Sequence, residues 1–454
     1  MTVALPFLTA YDPLGGTSGS IDPLGALRSY GALADLLLPG MTTITTRSRY
    51  LSMISAALSN TTRHSSFKPG PAGQVARRRA VEPLERLWAV ACASARQKGR
   101  RGAADDLRGV SFAERFLREI QERNQPATPD FRMLKSQTRT AGVATYWTLL
   151  RGGELVFEDG GLTREGEELA REFPLPPVSG RDLERLADPV ASRHVSIPLK
   201  ELELWGNACH LGAARAEERR SLARALRQDD RRDAIAKALM AYETARPLPE
   251  AWDVSTLKRL YSHVVVDELA SRLALPLVID AVIALEQFHE AALAVFQSML
   301  WWGTEFGNRT VLELLSDNDF RKATTTVRDC ASGLLAFNSG CSDSRVRRAI
   351  QEFATFATDM DGTRDARTVF EEVLRRHHRV QSGKVDGGAP KNDWITVSAT
   401  MVGRPAPRYQ VLERPYTARG KMLTHPYRLE QYVRMLRETG VLTARTAEER
   451  NNVH

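Results

Sequence analysis

Cysteine is scarce: the 454 residues hold only Cys92, Cys209, Cys330 and Cys341, with no Cys-x-x-Cys spacing. That pattern excludes both a disulfide framework and a zinc ribbon, and it reads as reduced thiols inside a cell. Lysine is scarce as well, since ten of the 63 basic residues are lysine and 53 are arginine. Long apolar runs are missing: the longest near Trp301, Ala291 to Thr304, lies between Glu290 and Glu305 and is too short to span a bilayer. Met1 to Gly16 lacks a charged start and breaks at Pro6 and Pro13, so no secretory signal is expected. A cytoplasmic protein with no membrane partner is the expectation.

Catalytic signatures are missing too. The chain has no Gly-x-Ser-x-Gly, no Walker A loop and no Rossmann fingerprint. Gly15, Gly16 and Gly19 follow no strand and precede no Gly-Lys-Ser/Thr, so they read as a surface loop. The expectation is therefore no catalytic residue, no cofactor and no metal.

What is present is ordinary soluble composition, 43% apolar and 26% charged, with a formal charge of +8 and a pI near 9.4. Such a chain folds, and its arginine forks suit phosphates and carboxylates, although a GC-rich genome produces the same bias. Its length allows several domains.

Linkers at 124–129 and 174–180 divide the sequence into an N-terminal helical domain (1–125), a small module (126–180), an irregular α-helical domain (181–380) and a C-terminal α+β segment (381–454). The fold class expected is mainly α. Asp12-Pro13-Leu14-Gly15 and Asp22-Pro23-Leu24-Gly25 are near-duplicated turn sequences. Helical periodicity from Leu24 to Leu38 stops at Pro39-Gly40, and a second helix begins near Arg47, Arg49 and Tyr50. Those two arginines read as solvated side chains at a threonine-capped helix start, with a phosphate site as the rival reading. Arg77, Arg78 and Arg79 open another helix without an evident structural reason.

In the module, Asp130 caps a helix carrying Arg132, Lys135 and Arg139 along one face. A second helix around Val143, Trp147 and Leu150 leaves Thr145, Thr148 and Arg151 on its other side. Glu154–Glu158 reads as a strand, Asp159–Gly161 as a turn, and Leu162-Thr163 as the entry to a helix over Arg164–Phe173. The Leu-Thr-x-x-Gly of this stretch resembles the segment that closes the wing in MarR- and PadR-like winged helices. The resemblance implies a small winged-helix-like module, used for DNA or for protein docking. Threonines on the helix and Glu154, Glu158 and Asp159 in the wing argue against base readout, which favours arginine, asparagine or glutamine.

Beyond 181, Asp229 or Asp230, Asp253 or Ser255, and Ser344 read as helix caps. Leu277–Phe306 is apolar nearly all round and belongs in the middle of a bundle. Its Glu286, His289 and Glu290 include a Glu-x-x-His unit, but a di-metal site needs a second copy, which the sequence lacks. A hydrogen-bonded core histidine is the reading. A helix over 364–379 ends in Arg375, Arg376, His377, His378 and Arg379, with Gln381 and Lys384 beyond. Together with Trp394 this stretch is the strongest candidate for gripping phosphates and stacking a base. Trp394–Val402 and Tyr409–Leu412 read as paired strands.

The nucleic-acid-binding candidates are thus Arg132, Lys135, Arg139, Arg375, Arg376, His378, Arg379 and Lys384. The pieces ALADLLLPGMTTITTRSRY, TYWTLL with LTREG, VQSGK with DWI, and HPYRLEQY resemble bacterial proteins that accompany helicases and nucleases in mobile anti-phage loci. That resemblance implies a non-catalytic DNA-associated or scaffolding subunit whose partners are DNA and the other protein subunits of a defence-type complex. Two rivals stand beside it. One is a divergent metal-dependent nuclease using Glu371, Glu372, Gln381 and Lys384, whose spacing departs from the restriction-type pattern. The other is a pure protein-docking adaptor.

Overall fold

A computed structural model describes residues 22–62, 71–133, 142–249, 251–307, 309–361, 365–386, 389–398, 400–415 and 423–443. Helix dominates them, as the apolar periodicity requires. In chain order the first helices are α1 (Leu27–Leu37), α2 (Arg49–Thr62), α3 (Pro71–Gln97), α4 (Val110–Glu122), α5 (Gly142–Gly152) and α6 (Arg164–Glu172). There follow α7 (Gly180–Arg185), α8 (Leu199–Cys209), α9 (Ala216–Arg227), α10 (Asp230–Ala245), α11 (Val254–Val264) and α12 (Glu268–Arg272). The last are α13 (Leu275–Phe306), α14 (Val311–Ser316), α15 (Asn318–Gly340), α16 (Ser344–Thr358), α17 (Ala366–Ser382) and α18 (Leu429–Glu438). No helix among the described residues is long and apolar enough to cross a membrane.

Short polar side chains start many of these helices by accepting otherwise orphaned amides. Asp229 caps α10, Asp253 caps α11 and Asp365 caps α17. Asp343, rather than Ser344, caps α16. Thr310 and Glu313 form a reciprocal capping box at α14.

The chain forms two compact units that the linkers at 124–129 and 174–180 do not separate, because both linkers fall inside one of them. One unit comprises Met1–Leu37 with Pro247–Tyr427, the other Leu38–Arg246 with Arg428–His454. In the first, α13 is the central helix and packs against α1, α11, α15, α16 and α17. Val278, Ile279, Val282, Leu285, Phe288, Ala292, Val295, Phe296 and Met299 are buried along it, which is why its sequence shows no polar face.

The strands in this unit are two residues long. Antiparallel β1 (Arg309–Thr310) pairs with β4 (Met401–Val402), and β2 (Val385–Asp386) with β3 (Ala389–Pro390). The strand expected over Trp394–Val402 is thereby reduced to its end. Its partner is Arg309–Thr310 instead of Tyr409–Leu412. Pro405 and Pro407 lack amide donors, and residues 407–409 form a turn of 3-10 helix.

In the second unit α3 packs against α2, α4 and α8, while α2 also packs against α5 and α6. Between α5 and α6 the chain makes a small hairpin with a single bridge, Val156 to Leu162. The Leu-Thr-x-x-Gly motif has a local explanation here. The Thr163 hydroxyl accepts from the Gly166 amide at 3.1 Å, and a Cβ at Gly166 would lie 2.1 Å from the Leu155 carbonyl oxygen. Threonine starts the helix, and glycine lets the hairpin lie against it.

Candidate nucleic-acid interface

The cluster at the end of α17 is split by helical geometry. Residues three and four apart share a face, so Phe370, Val373, Arg376, His377 and Gln381 turn inward and are buried. Arg375, His378 and Arg379 are exposed.

The inward residues hold the Asp22-Pro23-Leu24-Gly25 turn. Arg376 donates from Nε to the Leu24 carbonyl at 2.8 Å and from Nη2 to Glu352 at 2.7 Å, with its guanidinium over Phe353 and Phe356. Lys384 Nζ donates to the Asp22 carbonyl at 2.6 Å. The Asp22 carboxylate in turn accepts the amides of Gly25, Ala26 and Leu27, and so starts α1. Gly25 sits at φ +77°, the left-handed region that its sequence position anticipated. Arg376 is therefore a structural side chain, and its placement among the phosphate-contacting candidates is corrected: a guanidinium 4% exposed and committed to a carbonyl and a carboxylate cannot reach a ligand. Lys384 is half-buried and serves the same turn.

His377 joins these elements to the following segment. Its Nδ1 lies 3.0 Å from the Pro23 carbonyl, which only accepts, so Nδ1 carries the proton. Nε2 then accepts the Trp394 amide at 3.1 Å. The bond accepted at Nε2 requires the neutral ring, and burial lowers its pKa to about 4.

Trp394, once placed, stacks on Tyr409 with centroids 4.3 Å apart and planes 3° from parallel. The Arg408 guanidinium lies 4.6 Å from the Tyr409 ring centroid. Beside Trp394, Asp393 meets the exposed His378 at 2.9 Å. The outward face of α17 is thereby tied to an arginine–tyrosine–tryptophan stack, with Arg375, His378 and Arg379 exposed on the helix and Arg408 exposed on the stack. Arg408 and Tyr409 are site residues that the sequence reading does not single out, Tyr409 being the start of the expected strand Tyr409–Leu412; the Arg-Tyr step among prolines is the available signal.

The nuclease set does not converge. Gln381 is buried, Lys384 is bound to the Asp22 carbonyl, and Glu372 pairs with Arg375. Glu286 and His289 are core groups: Glu286 accepts the amides of Thr424 at 2.9 Å and His425 at 3.2 Å, and His289 Nδ1 meets the Tyr30 hydroxyl at 2.6 Å. Among the described residues no group of three or more His, Cys, Asp or Glu side chains is arranged to hold a metal ion.

In the other unit Arg132 is exposed and Asp130, Phe131, Arg132 and Met133 are not helical, so the helix expected to follow Asp130 does not start there; Lys135 and Arg139 lie outside the described residues. Helix α5 is buried on nearly every side, including Thr145, and leaves chiefly Thr148 and Arg151 outward. It offers almost no face to a DNA groove. Arg77 and Arg78 gain the structural reason that the sequence withheld, since Arg77 pairs with Asp159 of the hairpin at 3.2 Å and Arg78 covers the Trp147 ring at 4.1 Å. Arg47 and Arg49 are likewise buried and paired, with Glu438 and Glu218, instead of solvated. The remaining exposed arginines of this unit include Arg220 and Arg224 on α9.

Compared with protein-family models, curated proteins and solved structures, the chain matches none of them.

Proposed function

We propose that the protein is a non-catalytic, DNA-associated subunit of a bacterial defence-type complex, and that it contacts the nucleic-acid backbone through the exposed end of α17 and the Arg408–Tyr409 stack. The observation that carries the reading is the join between these two parts. The His378–Asp393 contact and the Trp394 amide bond to His377 join the exposed end of α17 to the segment that carries the Arg408–Tyr409 stack. Arginines track phosphates regardless of sequence, and the Trp394–Tyr409 stack holds Arg408 in place over the tyrosine ring. Such a surface favours binding without base readout, which agrees with the buried α5. The resemblance to proteins of anti-phage loci supplies the remainder of the reading, a role beside other protein subunits.

Anisotropy titrations of labelled single-stranded and duplex DNA, at about 50 and about 200 mM salt, test it. Wild-type protein is expected to bind more weakly at the higher salt. Replacing Arg375, Arg379 and Arg408 together by alanine is expected to lower the salt slope by roughly two to three. Absence of any salt-sensitive binding to DNA or RNA would sink the proposal.

A further inference from the structure

Helix α9 carries a second cationic feature, built from different residues in the other unit. Its inward side is Glu218, Leu222, Ala225 and Leu226. Arg220, Arg224 and Arg227 then fall at i, i+4 and i+7 on one outward stripe. With Ala223, Gln228 and Asp233 they line an open hollow of about 480 Å³. The small Ala223 leaves the floor between the arginines clear.

The rise along a helix puts Arg220 and Arg224 about 6 Å apart along the axis and Arg224 and Arg227 about 4.5 Å apart. Three forks at such intervals match neighbouring phosphates better than a single anion. Two of the three hold their present partners weakly. Arg220, 70% exposed, meets Glu217 at 3.0 Å, and Arg224, 64% exposed, meets Glu168 only at 3.8 Å. Glu168 is shared with Arg164, and Asp233, which faces Arg227 at 2.7 Å, is shared with Lys237. The exposed Arg220 and Arg224 pairs contribute about 0–1 kcal/mol, so exchanging them for phosphate oxygens costs little, while Arg227 stays paired with part-buried Asp233 at the edge of the hollow. Arginine, with its planar fork, binds such oxygens in pairs.

We infer that the α9 hollow is an oligophosphate site, taking successive phosphates either of a nucleic-acid strand or of a free oligophosphate. The inference stands apart from the α17 face, which shares no residue with it.

Calorimetric titration with tripolyphosphate, and anisotropy with a labelled oligothymidine, provide the two arms. The double variant Arg220→Ala/Arg224→Ala removes exposed side chains and should keep the wild-type melting temperature. It should bind tripolyphosphate at least about tenfold more weakly, in line with losing two charge-assisted contacts. Asp233→Asn should bind it more tightly. The matched control Arg347→Ala/Arg348→Ala, on exposed positions of α16, should bind as wild type. A parallel fall of about 1.4 in the oligothymidine salt slope identifies a strand as the source, and loss confined to tripolyphosphate identifies a free oligophosphate. Equal losses in the control and the α9 variant, or no loss with either probe, overturn the site. The triple α17 variant should leave tripolyphosphate binding intact, which separates failure here from failure of the α17 reading.

Discussion

Glu218→Gln is the substitution with the largest calculable consequence. Glu218 and Arg49 are fully buried, and Arg49 reaches both carboxylate oxygens, Nε to Oε1 at 3.0 Å and Nη2 to Oε2 at 2.9 Å. Ser52 donates a further bond to Oε1 at 2.6 Å, and Arg49 also donates to the carbonyls of Ala208 and His210 at the end of α8. One side chain therefore joins α2, α8 and α9. Glutamine keeps the volume and removes the charge, so the guanidinium is left buried without its counter-ion. Breaking a buried pair in this way costs about 3–5 kcal/mol, a large share of the roughly 5–15 kcal/mol that holds a domain together.

With a urea slope of about 2 kcal/mol per molar, the unfolding midpoint of this unit should fall by roughly 1.5–2.5 M. Fluorescence of the buried Trp88, whose indole donates to the Cys209 carbonyl at 2.6 Å beside the network, follows the transition. The loss should persist at high salt, because buried pairs are poorly screened. The double variant Arg49→Met/Glu218→Leu should lose less than either single change, since it leaves no orphaned charge. A Glu218→Gln midpoint within about 0.3 M of wild type would refute the argument, given the uncertainty of such extrapolations.

Two further outcomes test other parts of the fold. Burial raises the Glu286 carboxyl from 4.5 to about 7, so the folded state holds this proton more tightly than the unfolded chain does. Its contribution is complete below about pH 4.5 and is lost as pH rises through 7, an effect on the order of 3 kcal/mol. Glu286→Gln should therefore gain stability relative to wild type between pH 5 and pH 8, read as urea midpoints, and a constant difference at the two pH values would contradict the assignment. Gly166→Ala should lower stability by about 1–3 kcal/mol, because the new methyl meets the Leu155 carbonyl at 2.1 Å and the backbone must move; an unchanged melting temperature would show that the hairpin does not lie against α6 as described.

Much of the helical framework was legible because it rests on local rules. Pro39-Gly40 ended α1, and aspartates announced the starts of α10 and α11. The burial of α13 was legible from its unbroken apolar surface. The candidate site was legible only in part. Residues 375–379 form one basic run in sequence, yet a helix turns about 100° per residue, so the run is divided between core and solvent.

The chain's composition and periodicity by themselves determined a mainly helical protein, several of its helix ends and the positions of its arginines. Tertiary structure decided which arginines are available. Arg376 holds a turn 352 residues earlier in the chain, and Arg49 meets Glu218 across 169 residues. Arg220, Arg224 and Arg227 instead border a hollow. Burial and pairing of a charge depend on which distant residues pack around it, and a local pattern carries no record of that.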